Sequence, residues 1–364
     1  LEHYSADHGC VVVMETKTGH IKAISNLGRA NDGSYYETQN YAITESHEPG
    51  STFKLVDLIA VLDDKKADTS KIYDSKGGVI EYYGRKVRDS KPGGYGKISL
   101  ARGFELSSNT VLVQSVYDSY KNNPKQFVDR INSYGLNKPL GLPIKGEGKP
   151  VIPQPGTNRW SGVALPWMAF GYGLSVTPLQ TLTLYNAVAN DGVMVKPIFV
   201  SEIKEWNKTI KKYNTEVINP KICSQETLDK VQAVLENVVK RGTGSKLYSK
   251  DFSMAGKTGT AQVNYKDKSK LYYASSFVGY FPADEPKYSC IIVVHKPNVA
   301  AGYYGADVAG PVFKRIAQKI FTDSPSTNHV KNIDAKVVSQ EKKYSEYYKK
   351  VEKEERIIPN VKGM

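Results

Sequence analysis

Two apolar runs of strand length open the chain, at residues 10–15 and 20–25. Thr16-Lys17-Thr18-Gly19 between them supplies a turn glycine, so the pair reads as a β-hairpin. Residues 26–50 are polar and irregular and end in Glu48-Pro49-Gly50, which stops one element and sets up the next. From Ser51 to Leu62 apolar positions fall nearly all round, which suits a helix buried in the middle of a domain. Residues 67–97 are rich in glycine and turn formers, with a short hairpin expected at about 78–87. Helices are predicted at about 98–106, 110–121 and 124–134, with Ser107-Ser108-Asn109 at the junction of the first two.

Residues 135–173 are rich in glycine and proline, an irregular stretch long enough to carry function or to pack as a shaped loop. Thr177-Pro178-Leu179-Gln180 has the marks of a helix start: a capping threonine, a first-turn proline and a capping-box glutamine. That helix is expected to end near Asp191-Gly192, and another spans 224–240 before Gly242. Three strands follow, at 252–262, 275–281 and 288–295, then a helix at 308–321. Strands at both ends with helices between them predict an α+β domain, with a five-stranded antiparallel sheet built from both chain ends and an all-helical subdomain in the middle. The domain is expected over residues 1–322, with a charged linker at 323–356, dense in lysine and glutamate towards its end.

Composition narrows this picture only a little. The 364 residues are 40% hydrophobic and 24% charged, as in an ordinary soluble globule. A net charge of +13 favours an anionic partner or surface. The lysines are scattered and no zinc-finger or RNP-like pattern is present, so no nucleic-acid partner is expected. A membrane face, an anionic wall polymer, or a merely solvated basic surface remain. Cys10, Cys223 and Cys290 form no C-x-x-C pair and read as buried free thiols, with a Cys10–Cys290 bridge left open. The six histidines show no ligand spacing such as H-E-x-x-H, and neither metal nor cofactor is expected. No run of 18 or more apolar residues and no signal peptide is visible, and the start at Leu1, close to a strand, reads as a piece of a longer chain.

Three short elements carry the chemistry. Ser51 and Lys54 are three apart at a helix start, so they share a face. A serine hydroxyl becomes a strong nucleophile when a base removes its proton. A lysine serves as that base where burial and neighbouring positive charge lower its pKa. Ser107, Ser108 and Asn109 stand at a helix junction, where a hydroxyl can relay a proton and an amide can orient a lysine, although such residues are commonly caps. Lys257-Thr258-Gly259-Thr260 lies within a strand, where glycine permits close approach of an extended substrate and lysine with two hydroxyls suits a carboxylate. A P-loop is excluded: Gly256-Lys257-Thr258 would need a glycine at position 251, which is Asp251, and the segment continues as strand.

Taken together, S-x-x-K, S-x-N and K-T-G in this order resemble the motif set of penicillin-binding proteins and related β-lactamases. Glu48-Pro49-Gly50-Ser51-Thr52-Phe53-Lys54, Lys257 to Ala261, and Ser276 to Pro282 look like class B penicillin-binding proteins of the cell-division type, with the similarity running from about Cys10 to Phe321. Residues 357–364 look like the truncated start of a PASTA module.

The resemblance implies a penicillin-binding/β-lactamase-like fold and a D,D-transpeptidase that cross-links peptidoglycan stem peptides and is acylated by β-lactams. It implies Ser51 as nucleophile, Lys54 as base, Ser107 as proton relay, and Asn109 and Lys257 as orienting groups. Thr258, Gly259, Thr260, Ser108, Gln262 and Tyr303 are expected at the substrate, and the N–H groups of Ser51 and Thr260 as oxyanion hole. It further implies a site of action at the periplasmic face of the inner membrane, with an N-terminal anchor outside this sequence, and a glycosyltransferase and division proteins as partners through missing regions. A carboxypeptidase, a β-lactamase, and a non-catalytic β-lactam sensor or division scaffold are the rivals. The class A lactamase signature E-x-x-L-N is missing between Asn109 and Lys257.

Overall fold

The computed structural model describes residues 1–265, 267 and 269–323. The chain divides into two compact units, Leu1–Arg315 and Ile316–Met364. The expected linker at 323–356 and the PASTA-like residues 357–364 lie outside the described residues, apart from position 323.

The first unit is organised on one antiparallel sheet. Its strands in chain order are β1 (His8–Glu15), β2 (Ile21–Arg29), β3 (Tyr35–Tyr36), β4 (Ala255–Val263), β5 (Tyr272–Phe281) and β6 (Tyr288–His295). Their order across the sheet is β4-β5-β6-β1-β2-β3. The N-terminal hairpin thus joins the C-terminal strands through β1 and β6, where His8 stands opposite His295 and Val12 opposite Ile291. The expected five strands become six. The added strand has two residues, too short to leave any period in the polar stretch where it lies.

Alternation decides what each strand buries. Cys10, Val12 and Met14 of β1, Val278 and Tyr280 of β5, and Ile291 and Val293 of β6 all belong to the main core. Against that face packs a helical layer whose centre is Lys54–Asp63, buried from Lys54 through Leu62. The helix Pro178–Ala189 is likewise buried throughout, and it starts with the full capping box of Thr177 and Gln180. On the opposite face Phe313 meets Phe277 and Phe281 of β5, at ring-centroid distances of 4.7 and 5.5 Å.

The middle of the chain is not all-helical. Helices Leu100–Glu105, Asn109–Tyr120, Pro124–Ser133 and Gln225–Arg241 form as expected, and so does a hairpin of Val79–Tyr82 with Arg85–Arg88. Three further two-stranded pieces accompany them: Ile72–Asp74 with Lys97–Ser99, Met194–Val195 with Val217–Asn219, and Glu202–Glu205 with Lys208–Lys212. Each is at most five residues per strand, and the last is exposed along both strands, so no buried-face pattern announced it. Cys10, Cys223 and Cys290 are buried and free, which closes the question of a bridge.

Candidate active site

Ser51 sits in a 3-10 turn, Gly50–Phe53, that runs directly into the central helix Lys54–Asp63. In 3-10 geometry residues three apart eclipse one another, so Ser51 and Lys54 keep the shared edge expected of a continuous α-helix. Two neighbours fix the turn. Gly50 has φ +57°, and a Cβ there would press on Ala261 of β4 at 3.0 Å. Behind it, the Gly50 N–H donates to the Gly171 carbonyl at 3.1 Å. A Cβ on Gly171 would overlap the Gly50 carbonyl oxygen, and its φ of +82° is itself left-handed.

Lys54 is fully buried and points to the junction of the two helices. Its Nζ donates to Asn109 Oδ1 at 2.6 Å, to the Ser107 carbonyl at 2.8 Å and to Ser107 Oγ at 3.3 Å. The Asn109 amide nitrogen donates to the Arg88 carbonyl at 2.7 Å, which sets the amide's orientation. Ser107 adopts φ +56°, a left-handed value uncommon for a residue with a side chain. From the far side Lys257, on β4, donates to Ser107 Oγ at 2.8 Å and to the Thr258 carbonyl at 3.0 Å. One hydroxyl therefore lies between two buried amines drawn from positions 54 and 257.

Burial dominates the charges here. It pulls the Lys54 ammonium down to about 7, although the nearby Asp89 and Asp57 act the other way. Lys257 is held well below the usual lysine range, first by burial and then by Lys54. Asp57, one turn along the central helix, is fully buried with both carboxyl oxygens lacking partners among the described residues, and burial pushes it well above the carboxylate range. A neutral Lys54 keeps two N–H donors and gains a lone pair, the state required to take a proton from Ser51.

Ser51, Ser107, Asn109, Thr258 and Thr260 line one cavity of about 290 Å³, together with Ser90, Thr243, Lys246 and the segment Tyr304–Asp307. The Thr258 hydroxyl is 2.7 Å from that of Thr243, and Thr260 Oγ1 accepts the Gly305 N–H at 3.0 Å. β4 is the edge strand, so one row of its backbone groups faces away from β5.

Four expected substrate residues stand elsewhere. Ser108 is buried as the cap of helix Asn109–Tyr120: its hydroxyl accepts the Val111 N–H and is 3.1 Å from both Asp89 carboxyl oxygens. A residue at the last non-helical position turns its side chain to the helix's own N–H groups. Gly259 faces the packed side, where a Cβ would meet Ser276 Oγ and Thr52 Cγ2. Tyr303 stacks on Tyr273 at 4.1 Å, and it is Tyr304 that lines the cavity. Gln262 has an exposed side chain, and its backbone N–H donates to the Tyr172 hydroxyl at 2.7 Å.

Sequence reasoning picked out the Tyr303-Tyr304 pair as a groove border but missed Thr243, Tyr172 and Asp89. Asp89 accepts from Ser108, from the Thr110 N–H at 3.0 Å and from the Thr110 hydroxyl at 2.9 Å, which ties the hairpin to the helix junction. None carries a local signal, except that Tyr172 lies in the glycine- and proline-rich stretch that was too long to be idle.

The penicillin binding protein transpeptidase domain matches residues 9–318 of the chain. Stage V sporulation protein D of Bacillus subtilis is 29% identical over 99% of this chain and 54% of its own length. Peptidoglycan D,D-transpeptidase FtsI of Escherichia coli K12 is 28% identical over 85% of the chain and 50% of its own length. The chain thus spans about half the length of the curated relatives it matches. Penicillin binding protein 3 of Mycobacterium tuberculosis, solved in complex with aztreonam, is 27% identical, covers 88% of this chain and 73% of its own, and superimposes with a TM-score of 0.75.

Proposed function

The chain belongs to the penicillin-binding protein transpeptidase family, and on that premise we propose that it is a serine D,D-transpeptidase of peptidoglycan. The observation that carries the reading is Ser107 Oγ placed 3.3 Å from Lys54 Nζ and 2.8 Å from Lys257 Nζ, on the cavity that Ser51 opens into. Ser51 Oγ attacks the carbonyl of the penultimate D-alanine of a stem peptide, and its proton passes to neutral Lys54. The tetrahedral oxyanion takes hydrogen bonds from the N–H groups of Ser51 and Thr260. For Thr260 the sheet supports this. The Gln262 N–H leaves the β4 edge towards Tyr172, and two residues earlier the Thr260 N–H leaves the same edge by strand periodicity.

The carbon–nitrogen bond then breaks. The departing D-alanine amine receives a proton through Ser107, whose hydroxyl Lys257 orients. Thr258 and Thr260 hold the terminal carboxylate beside Lys257. An amine of a second stem attacks the Ser51 ester and gives its proton to Lys54, which returns it to the departing Ser51 oxygen, leaving a new amide and the free serine. A β-lactam opens on the same serine. The relatives include a sporulation protein and a protein named FtsI, which supports a role in building wall at a division or spore septum, outside the cytoplasmic membrane. Anchorage by a preceding segment and contact with a glycosyltransferase and division proteins complete that reading. No helix among the described residues is long and apolar enough to cross a membrane.

Intact-mass analysis after incubation with penicillin tests it: one adduct is expected on the wild type and none on Ser51→Ala. No adduct on the wild type overturns the reading. With a stem pentapeptide and an excess amine acceptor, amide product is expected over the hydrolysed tetrapeptide. Hydrolysis alone would make the enzyme a carboxypeptidase.

A further inference from the structure

A second cavity, of about 630 Å³, is lined by Arg85, Arg159, Trp167, Gly173 and Tyr265 among others, and the chemistry above makes no use of it. Its walls come from segments already tied to the reactive groups. Arg85 opens the hairpin strand Arg85–Arg88, whose last carbonyl orients the Asn109 amide. Gly173 follows closely on Gly171, which holds Gly50, and its N–H donates at 2.8 Å to Glu48 Oε1, three residues before Ser51. Tyr265 lies two residues beyond the end of β4. The rings of Trp167, Phe170, Tyr172 and Tyr265 follow one another at centroid distances of 5.6, 4.8 and 5.4 Å, and Tyr172 reaches the β4 edge at the Gln262 N–H.

Two features suit this cavity to an anionic part of the substrate. The first is its unused charge. Arg85 and Arg159 are both exposed, and among the described residues neither guanidinium has a hydrogen bond or an ion pair. A lone exposed arginine is ordinary solvated surface, but these two share one concave wall with Trp167 and Tyr265. The carboxylate that touches the lining, Glu48, is engaged by the Gly173 N–H and by the Tyr265 hydroxyl at 3.2 Å. A guanidinium presents a planar fork that matches a carboxylate, and the aromatic faces suit the methylene groups that carry one. The second feature is the run of the substrate. With its terminal carboxylate at Thr258 and Lys257 and its scissile carbonyl at Thr260, the preceding residues run along β4 towards Gln262. There the edge closes, because the Tyr172 hydroxyl already takes the Gln262 N–H at 2.7 Å. An extended chain loses its pairing partner at that point and turns off beside Tyr172 and Gly173, where the cavity lies. Thr260 is three residues from the end of β4 at Val263, about 10 Å and about the reach of three extended residues.

We propose that this cavity is a subsite for the donor stem peptide, in which Arg85 and Arg159 hold a carboxylate carried one or two residues before the D-alanyl-D-alanine pair. The proposal rests on the transpeptidase reading, from which it takes the direction of the substrate. The two arginines touch no reacting atom; they select the stem by its charge and fix the chain that leads to the scissile bond.

The test labels the full chain with a fluorescent penicillin and measures how synthetic peptides ending in D-alanyl-D-alanine slow the labelling. The peptides carry a carboxylate one residue before the pair, or two residues before it, and each is compared with its carboxamide. At least one carboxylate peptide is expected to protect Ser51 at about tenfold lower concentration than its carboxamide, and the position that shows the preference identifies the group held. Added salt is expected to shrink the preference. Arg85→Gln and Arg159→Gln are each expected to reduce it to less than about threefold, whereas Arg85→Lys and Arg159→Lys keep part of it, since lysine retains the charge without the fork. Arg29→Gln, on β2, is expected to keep it whole. Circular dichroism reports the fold of each variant. A wild type that takes no label removes the transpeptidase reading and the subsite with it. Labelling that carboxylate and carboxamide peptides slow equally or not at all, or a preference undiminished in both glutamine variants, overturns the subsite alone.

Discussion

The lysine pair beneath Ser51 is fully buried, the histidine cluster around Glu45 only in part, and the two are satisfied very differently. Lys54 has three acceptors within 3.3 Å, and Lys257 has two within 3.0 Å. Burial lowers the pKa of both, while the hydrogen bonds hold their direction. His295 is buried as well, but its Nδ1 has no hydrogen-bond partner among the described residues. Between the two runs a single stretch, Glu45 to Ser51. The contrast teaches that burial alone does not make a working polar site. A group that must act on substrate is first held by its neighbours in one direction.

The sharpest way to break the comparison is to remove the lysine. Lys54→Ala is expected to slow penicillin acylation by about 10²- to 10⁴-fold, the range for loss of a positioned base. With Lys54 near 7, the wild-type acylation rate is expected to rise with pH through about 7 and level off above it, because only the neutral amine accepts the Ser51 proton. Stopped-flow rates across pH check both points. A rising limb that survives in Lys54→Ala would take the base role from this residue.

Next comes the support of the turn. Gly171→Ala places a methyl group on the Gly50 carbonyl at a left-handed φ. It is expected to cost about 1–3 kcal/mol of stability, as overpacking does, and to slow acylation with it. Denaturant unfolding of the variant measures the first effect.

The histidine side is probed by acid. Burial would raise the Glu45 carboxyl, but the His8 hydrogen bond and the fields of His295, His8 and His47 outweigh it and hold it at about 2. A folded pKa below the unfolded value contributes stability above about pH 4.5 that is lost as pH falls towards 2. Glu45→Gln is expected to flatten that limb by about 1–2 kcal/mol, read from melting curves between those pH values.

The smallest effect is expected at Asp57. Burial pushes its carboxyl well above the carboxylate range and so disfavours the charged form, and Asp57→Asn is expected to change stability by less than about 1 kcal/mol and acylation by less than about threefold. A large rate loss would show that Asp57 carries charge next to Lys54.

Much of the fold was legible in the sequence because its long elements bury one face. The terminal strands, the Ser51 helix and the Thr177 capping box all carry a period or a cap that local physics reads directly. Tyr35–Tyr36 and the paired stretches at 72–74 and 97–99 left no trace, because two or three residues make no period. Ser108 misled for a related reason: the same serine suits a helix cap and a substrate contact, and only the Asp89 carboxylate shows which it is.

The sequence alone determined the order and type of the reactive groups: serine with lysine three on, a second serine with its asparagine, and a lysine in a glycine-bearing strand. It also determined the helix and strand that hold them, since those follow from contacts between near neighbours in the chain. Only the tertiary structure decided that Lys54 and Lys257 share the Ser107 hydroxyl, that Thr243 joins the cavity wall, that Tyr172 meets the Gln262 N–H, and that His8 faces His295. Those depend on strand register and on loops closing over long sequence separations, where the free energy lies in packing and desolvation that no short stretch contains.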